Sequence, residues 1–175
     1  MQVLLSEIEG WFSSKRTHFD VFAEVDSRIE GWFKAEMLVL LTQLKERKLI
    51  SDFKREAKVI CTKTGKRKQV DFRICKDGND HYCELKALCI SQAARTPRNL
   101  GFYFRDDHVG LIKDFKKLDL LNISNRWVMA FIYPSPTTDS WKAIIQSVPS
   151  ALSHWTPVTV PQNTHEPLFI SLWQG

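Results

Sequence analysis

The stretch Asn125-Arg-Trp-Val-Met-Ala-Phe-Ile-Tyr133 constrains the fold more than any other part of the chain. It is an almost unbroken apolar run, and Pro134 and Pro136 stop it. A strand with one wet face alternates apolar and polar residues, so a run of this kind belongs to a strand covered on both faces. Helical patterns elsewhere supply the covers and make the chain α/β. Residues 2–15 read as a short amphipathic helix. A stronger one runs from Ser27 to Lys48, with Asp26 or Ser27 to cap its start and Arg47 and Lys48 suited to its C-terminal dipole. Further helices are expected at 107–121 and 139–148 and a final strand at 168–173, while 156–167, with three prolines, reads as a loop. The pentapeptide Ile-Glu-Gly-Trp-Phe occurs at 8–12 and again at 29–33, which is too short a repetition to indicate a repeat protein.

A length of 175 residues predicts a single domain over 1–175. No apolar run approaches the roughly 20 residues that span a bilayer. The start has no basic region followed by a long apolar stretch, so no signal peptide and a cytoplasmic location are expected. Cys61, Cys75, Cys83 and Cys89 show no C-x-x-C spacing and read as reduced thiols rather than zinc ligands or disulfides. The net charge of +5 is spread unevenly. Lys63, Lys66, Arg67 and Lys68 crowd one turn, Arg95, Arg98 and Arg105 a second segment, and Lys113, Lys116 and Lys117 a helix. Any one cluster reads as a solvated surface. Three of them beside a candidate metal site point to a polyanion, and so to nucleic acid.

That candidate site comes from three strands expected as a meander: 55–61, 69–75 and 81–88, joined by the turns Thr62–Lys68 and Lys76–Asp80. Residues two apart on a strand share a face. Val70, Phe72 and Ile74 form the apolar face of the middle strand, which leaves Asp71 on the other. On the next strand Glu84 and Lys86 project together and Leu85 points into the packing. The triplet Asp/Glu-x-Lys occurs five times, at 46–48, 52–54, 56–58, 84–86 and 114–116. The first and last lie on helices, where positions two apart diverge. The second lies in a connection, and the third has no preceding strand to supply a partner acid. Only 84–86 follows a strand that carries a carboxylate opposite its apolar face. A third acid, Glu36, falls within about 20° of Ile29 in the apolar stripe of the long helix, where an unpaired carboxylate is costly. Glu30 is its runner-up.

In this order of elements the chain resembles the PD-(D/E)xK nuclease superfamily: helix with Glu36, strand, strand with Asp71, strand with Glu84-Leu85-Lys86, helix, strand. The resemblance covers about residues 27–133 and makes residues 1–26 and 137–175 peripheral. It implies a restriction-endonuclease-like αβββαβ core with a mixed central sheet flanked by helices. Val70 stands where the family name has proline, outside the chemistry. It further implies that Asp71, Glu84, Glu36 and the Leu85 carbonyl hold Mg²⁺ or Mn²⁺. Lys86 would orient or help deprotonate the attacking water and steady charge on the phosphate, and cleavage would leave a 5′-phosphate. Gln92, just past the site strand, would face the substrate, with Lys63, Lys66, Arg67, Lys68, Arg95 and Arg98 as further nucleic-acid contacts. The implied activity is metal-dependent hydrolysis of phosphodiester bonds, in DNA before RNA. Double-strand cleavage by so small a chain would favour a homodimer. Two other readings compete: a non-catalytic nucleic-acid-binding or assembly subunit that keeps the fold, and a plain α/β interaction module whose acid–lysine pairs are surface pairs.

Overall fold

The computed structural model describes residues 1–25, 29–92, 97–106, 110–162 and 166–175. Six strands form one mixed sheet: β1 (Asp52–Ile60), β2 (Arg67–Lys76), β3 (Asn79–Cys89), β4 (Arg126–Tyr133), β5 (Thr156–Pro157) and β6 (Phe169–Gln174). Their order is β1-β2-β3-β4-β6-β5. Among the described residues only the β3–β4 pairing is parallel. A parallel neighbour needs a crossover, and this one contains helix α4 (Leu111–Asp119).

β4 sits where its composition requires. Trp127 to Tyr133 are all buried. Trp127, Met129, Phe131 and Tyr133 enter one core, while Val128, Ala130 and Ile132 enter a second. The first core is closed by α1 (Leu5–Ser13), α2 (Arg16–Val25) and α3 (Glu30–Glu46). The second is closed by α4, α5 (Thr138–Ser147) and a 3-10 turn at Leu100–Phe104. The repeated pentapeptide is absorbed by the first core, where Phe12 and Phe33 lie with ring centroids 5.5 Å apart and Phe33 stacks on Phe131 at 4.2 Å.

Several boundaries differ from the sequence reading. The N-terminal helix stops at Ser13, and α2 follows it unannounced. Phe19 is the one fully buried side chain of α2, and Phe22 packs beside it on the first core. α3 begins at Glu30 with Ile29 at its N-cap, and the caps expected at Asp26 or Ser27 lie outside the described residues. β1 starts three residues earlier than expected, at Asp52. The loop at 156–167 contributes the two-residue strand β5. Among the described residues, no helix is long and apolar enough to cross a membrane. All four cysteines are free, three of them buried.

The feature that makes a site is a fork in the sheet. The β2–β3 ladder runs from Lys76↔Asn79 to Phe72↔Cys83 and ends there. Beyond that point β2 stays with β1 as far as Ile60↔Arg67, and β3 stays with β4 as far as Cys89↔Tyr133. Glu56, opposite the fork on β1, has a φ of 52°, a left-handed value uncommon outside glycine. The β1–β2 ribbon rolls over at this level. Phe72 and Ile74 belong to the first core, but Val70 and Val59 belong to the second.

Candidate active site

Extending the β2–β3 register one pair past Phe72↔Cys83 would set Asp71 opposite Glu84. Like charges directly opposite on two strands destabilise the pairing, and the ladder ends at this point. Asp71 turns its carboxylate into the opening, where Oδ2 accepts a hydrogen bond from the Leu85 amide at 2.9 Å. A residue's N–H and C=O leave the same edge of a strand, so the Leu85 carbonyl faces the opening as well. The flanking helices then supply cations. Lys34 on α3 reaches Asp71 Oδ1 at 2.8 Å and Glu30 Oε1 at 2.7 Å. Lys117 on α4 reaches Glu84 Oε1 at 2.5 Å. Lys86 Nζ lies 3.5 Å from Glu30 Oε2 and 3.6 Å from Asp114 Oδ2. Lys34, Asp71, Glu84, Lys86, Asp114 and Lys117 line a cavity of about 500 Å³, which Lys68, Lys113 and Gly110 also border. A larger hollow of about 880 Å³ lies between α1, α2 and residues 158–162 and 166–170, bordered by the Arg16–Glu166 ion pair and Glu9, with no comparable convergence of acids among the described residues.

The electrostatics follow from burial. Glu84 is 3% exposed, and its carboxyl is pushed up to about 7 by burial and then by the Asp71 charge, against the pull of Lys117. Asp114 is pushed up to about 6, again by burial first, with Lys86 and Lys117 opposing. For Lys86 burial alone would favour the neutral amine, but Asp114 and Glu30 outweigh it and hold the ammonium above its ordinary value. Lys34 behaves likewise, with Asp71 and Glu30 prevailing over burial.

A pH dependence follows. For Glu84 the folded-state value of about 7 exceeds the ordinary 4.5, so between these limits the native state binds more protons than the unfolded chain. Stability therefore falls as pH rises through this window. In EDTA the wild-type melting temperature should fall more, or rise less, from pH 5 to pH 8 than that of Glu84→Gln; His81 and the N-terminal amine, both held low by burial, pull the other way in both proteins. An unchanged slope in the variant would contradict this account of Glu84.

Asp71, Glu84, Lys86 and the Leu85 carbonyl, expected from the sequence to share a site, are brought together. Glu36 is not. It accepts a hydrogen bond from Trp11 Nε1 at 3.0 Å and pairs with Lys15 at 3.2 Å, which fastens α1 to α3. Ile29 misled the reading, because it is the N-cap and lies outside the helical rotation. The buried stripe is Phe33, Met37, Leu40, Leu41 and Leu44. At about 100° per residue Glu36 and Glu30 lie about 120° apart, at opposite edges of that stripe. The acid that α3 delivers to the site is Glu30. Glu36→Gln should therefore leave any activity intact and cost under about 1 kcal/mol, whereas Glu30→Gln should lower activity; the reverse order in a paired assay would restore Glu36 to the site.

The basic residues divide similarly. Lys68 borders the cavity, while Lys63, Lys66 and Arg67 are exposed on the adjoining β1–β2 turn. Lys116 pairs with Asp106 instead of lining the cavity. Arg98 stacks over Phe102 at 4.9 Å, Gln92 is exposed, and Arg95 lies outside the described residues. Lys34 and Asp114 went unnoticed in the sequence. Asp114 had a signal, since it falls about 60° from Leu111 and about 40° from Leu118 inside the apolar stripe of α4.

Asp71, Glu84 and one carbonyl are hard oxygen donors, and Mg²⁺ takes one or two carboxylates while keeping several waters. Among the described residues, no three His, Cys, Asp or Glu side chains form a group that could hold a metal ion by themselves. The donor set thus fits a sparsely ligated, hydrated cation and not a closed cage. Comparison with protein-family models, curated proteins and solved structures finds no match to this chain.

Proposed function

We propose that this chain hydrolyses phosphodiester bonds in nucleic acid, DNA before RNA, with Mg²⁺ or Mn²⁺ held by Asp71, Glu84 and the Leu85 carbonyl. The observation that carries this reading is the meeting of Asp71 and Glu84 at the fork, with Lys86 one step along the same strand. The succession α3, antiparallel β1–β2–β3, α4 and parallel β4 supports a restriction-endonuclease-like core. The cation, when bound, lowers the pKa of a water and polarises a phosphoryl oxygen. Asp71 and Glu84 balance its charge, and Lys34 and Lys117 then move off their carboxylates. Those freed ammoniums, with Lys68 and Lys113, give the cavity a positive rim for the phosphates on either side of the scissile bond. Lys86, held charged between two acids, donates to a phosphate oxygen and does not serve as the base. A homodimer would present two such sites to the two strands of a duplex.

The rival reading is a nucleic-acid-binding subunit without catalysis, favoured by the lysines already seated on both acids. Plasmid and single-stranded DNA incubated with Mn²⁺ and then with EDTA separate the two. Metal-dependent nicking that EDTA stops supports the nuclease, and binding with no product under either condition supports the subunit.

A further inference from the structure

Asp114 is only 5% exposed, in the first turn of α4 beside the buried Leu111, Ile112, Phe115 and Leu118. Its Oδ2 is shut off from solvent and makes no hydrogen bond. The nearest cation is the Lys86 ammonium at 3.6 Å, and Glu30 Oε2 lies 3.5 Å from the same nitrogen. A buried carboxylate without a partner is unfavourable, so its presence asks for a counter-charge nearby. A lysine on a flexible four-carbon stem has many rotamers. Acids from two different helices restrict it to the ones that place its charge between them. Both separations exceed the ordinary length of an N–H···O bond. The ammonium is therefore fixed in place by charge while its donors stay uncommitted. The other charges near it are the like-charged Lys34 on α3 and Asp71 on β2, which pairs with Lys34.

We infer that Asp114 is a positioning residue: with Glu30 it holds Lys86 beside the Asp71–Glu84 pair and leaves the lysine's hydrogen bonds free for an oxygen of the bound phosphate. The catalytic half of this statement rests on the nuclease reading above; the anchoring of Lys86 does not. Removing the Asp114 charge should free the lysine without touching the carboxylates that take the metal.

The test combines lysine side-chain relaxation with cleavage kinetics, on wild type, Asp114→Asn and Asp114→Glu. With ¹³C-labelled lysine, Lys86 in the wild type should be far more ordered than exposed lysines such as Lys58 and Lys63. Asp114→Asn should reduce that order, with Glu30 left as the sole partner, while leaving Lys34 unchanged, and Asp114→Glu should recover part of it. On DNA with Mn²⁺, Asp114→Asn should lower kcat on the order of 10²-fold, as expected for a misplaced catalytic group, with KM little changed. A wild-type Lys86 as mobile as the exposed lysines would overturn the proposal without any variant. So would full Lys86 order, or full kcat, in a folded Asp114→Asn. Loss of Lys86 order in a protein whose wild type cuts no DNA would uphold the anchoring and remove the nuclease reading alone.

Discussion

Asp71→Asn should abolish Mn²⁺-dependent DNA cleavage, lowering it on the order of 10³-fold or more, because metal-ion catalysis supplies several kcal/mol of barrier reduction. The substitution keeps the volume of the side chain and an oxygen to accept from the Leu85 amide, which Asp71 Oδ2 does at 2.9 Å. It removes the charge that balances a cation. Lys34 keeps Glu30 at 2.7 Å within α3, and the helix stays seated through its buried Phe33, Met37, Leu40, Leu41 and Leu44. The melting temperature should therefore change little while Mn²⁺ binding, followed by calorimetric titration, weakens sharply. A variant that binds Mn²⁺ as the wild type does would remove Asp71 from the metal site; one that unfolds would reassign it to stability.

Phe33→Ala is expected to have the largest effect on the fold, a loss of about 3–5 kcal/mol. Phe33 is completely buried and is the hub of an aromatic cluster, stacked on Phe131 at 4.2 Å and on Phe19 at 5.9 Å. Truncation would leave a void that rings on three different elements cannot all move to fill. Against a total stability of roughly 5–15 kcal/mol this is a large fraction, and at about 2–4 °C per kcal/mol the melting temperature should fall by roughly 6–20 °C. Glu30 and Lys34 flank Phe33 on the same helix, so activity should decline with the loosening of α3. A fall of under about 1 kcal/mol would mean that α3 is not seated on β4 as described.

What could be read from the sequence follows from which interactions leave a trace in side-chain pattern. β4 was legible because burial on both faces leaves only one composition. The Asp71 and Glu84–Lys86 strands were legible because period-two alternation assigns each side chain a face. α2 was not, because it is only ten residues long, follows α1 after two residues and fully buries Phe19 alone. The fork was hidden for a different reason: a ladder that ends at Phe72↔Cys83 is an event in backbone hydrogen bonding, and the strands on both sides continue with other partners. Glu36 and Glu30 were exchanged because the stripe of α3 was anchored on Ile29, a residue outside the helix proper. Asp114 was set aside with its triplet, since Asp114 and Lys116 diverge on a helix. That reasoning held for the pair and concealed the acid, which faces Lys86 on its own account.

The most direct measurement is a crystal structure of the wild-type protein soaked with Mn²⁺, with anomalous scattering recorded at the manganese edge. The account predicts a peak in the opening between β2 and β3, coordinated by Asp71, Glu84 and the Leu85 carbonyl, with Lys34 and Lys117 drawn away from those acids. Lys34 and Lys117 still seated on Asp71 and Glu84, with no manganese peak at the fork, would contradict it.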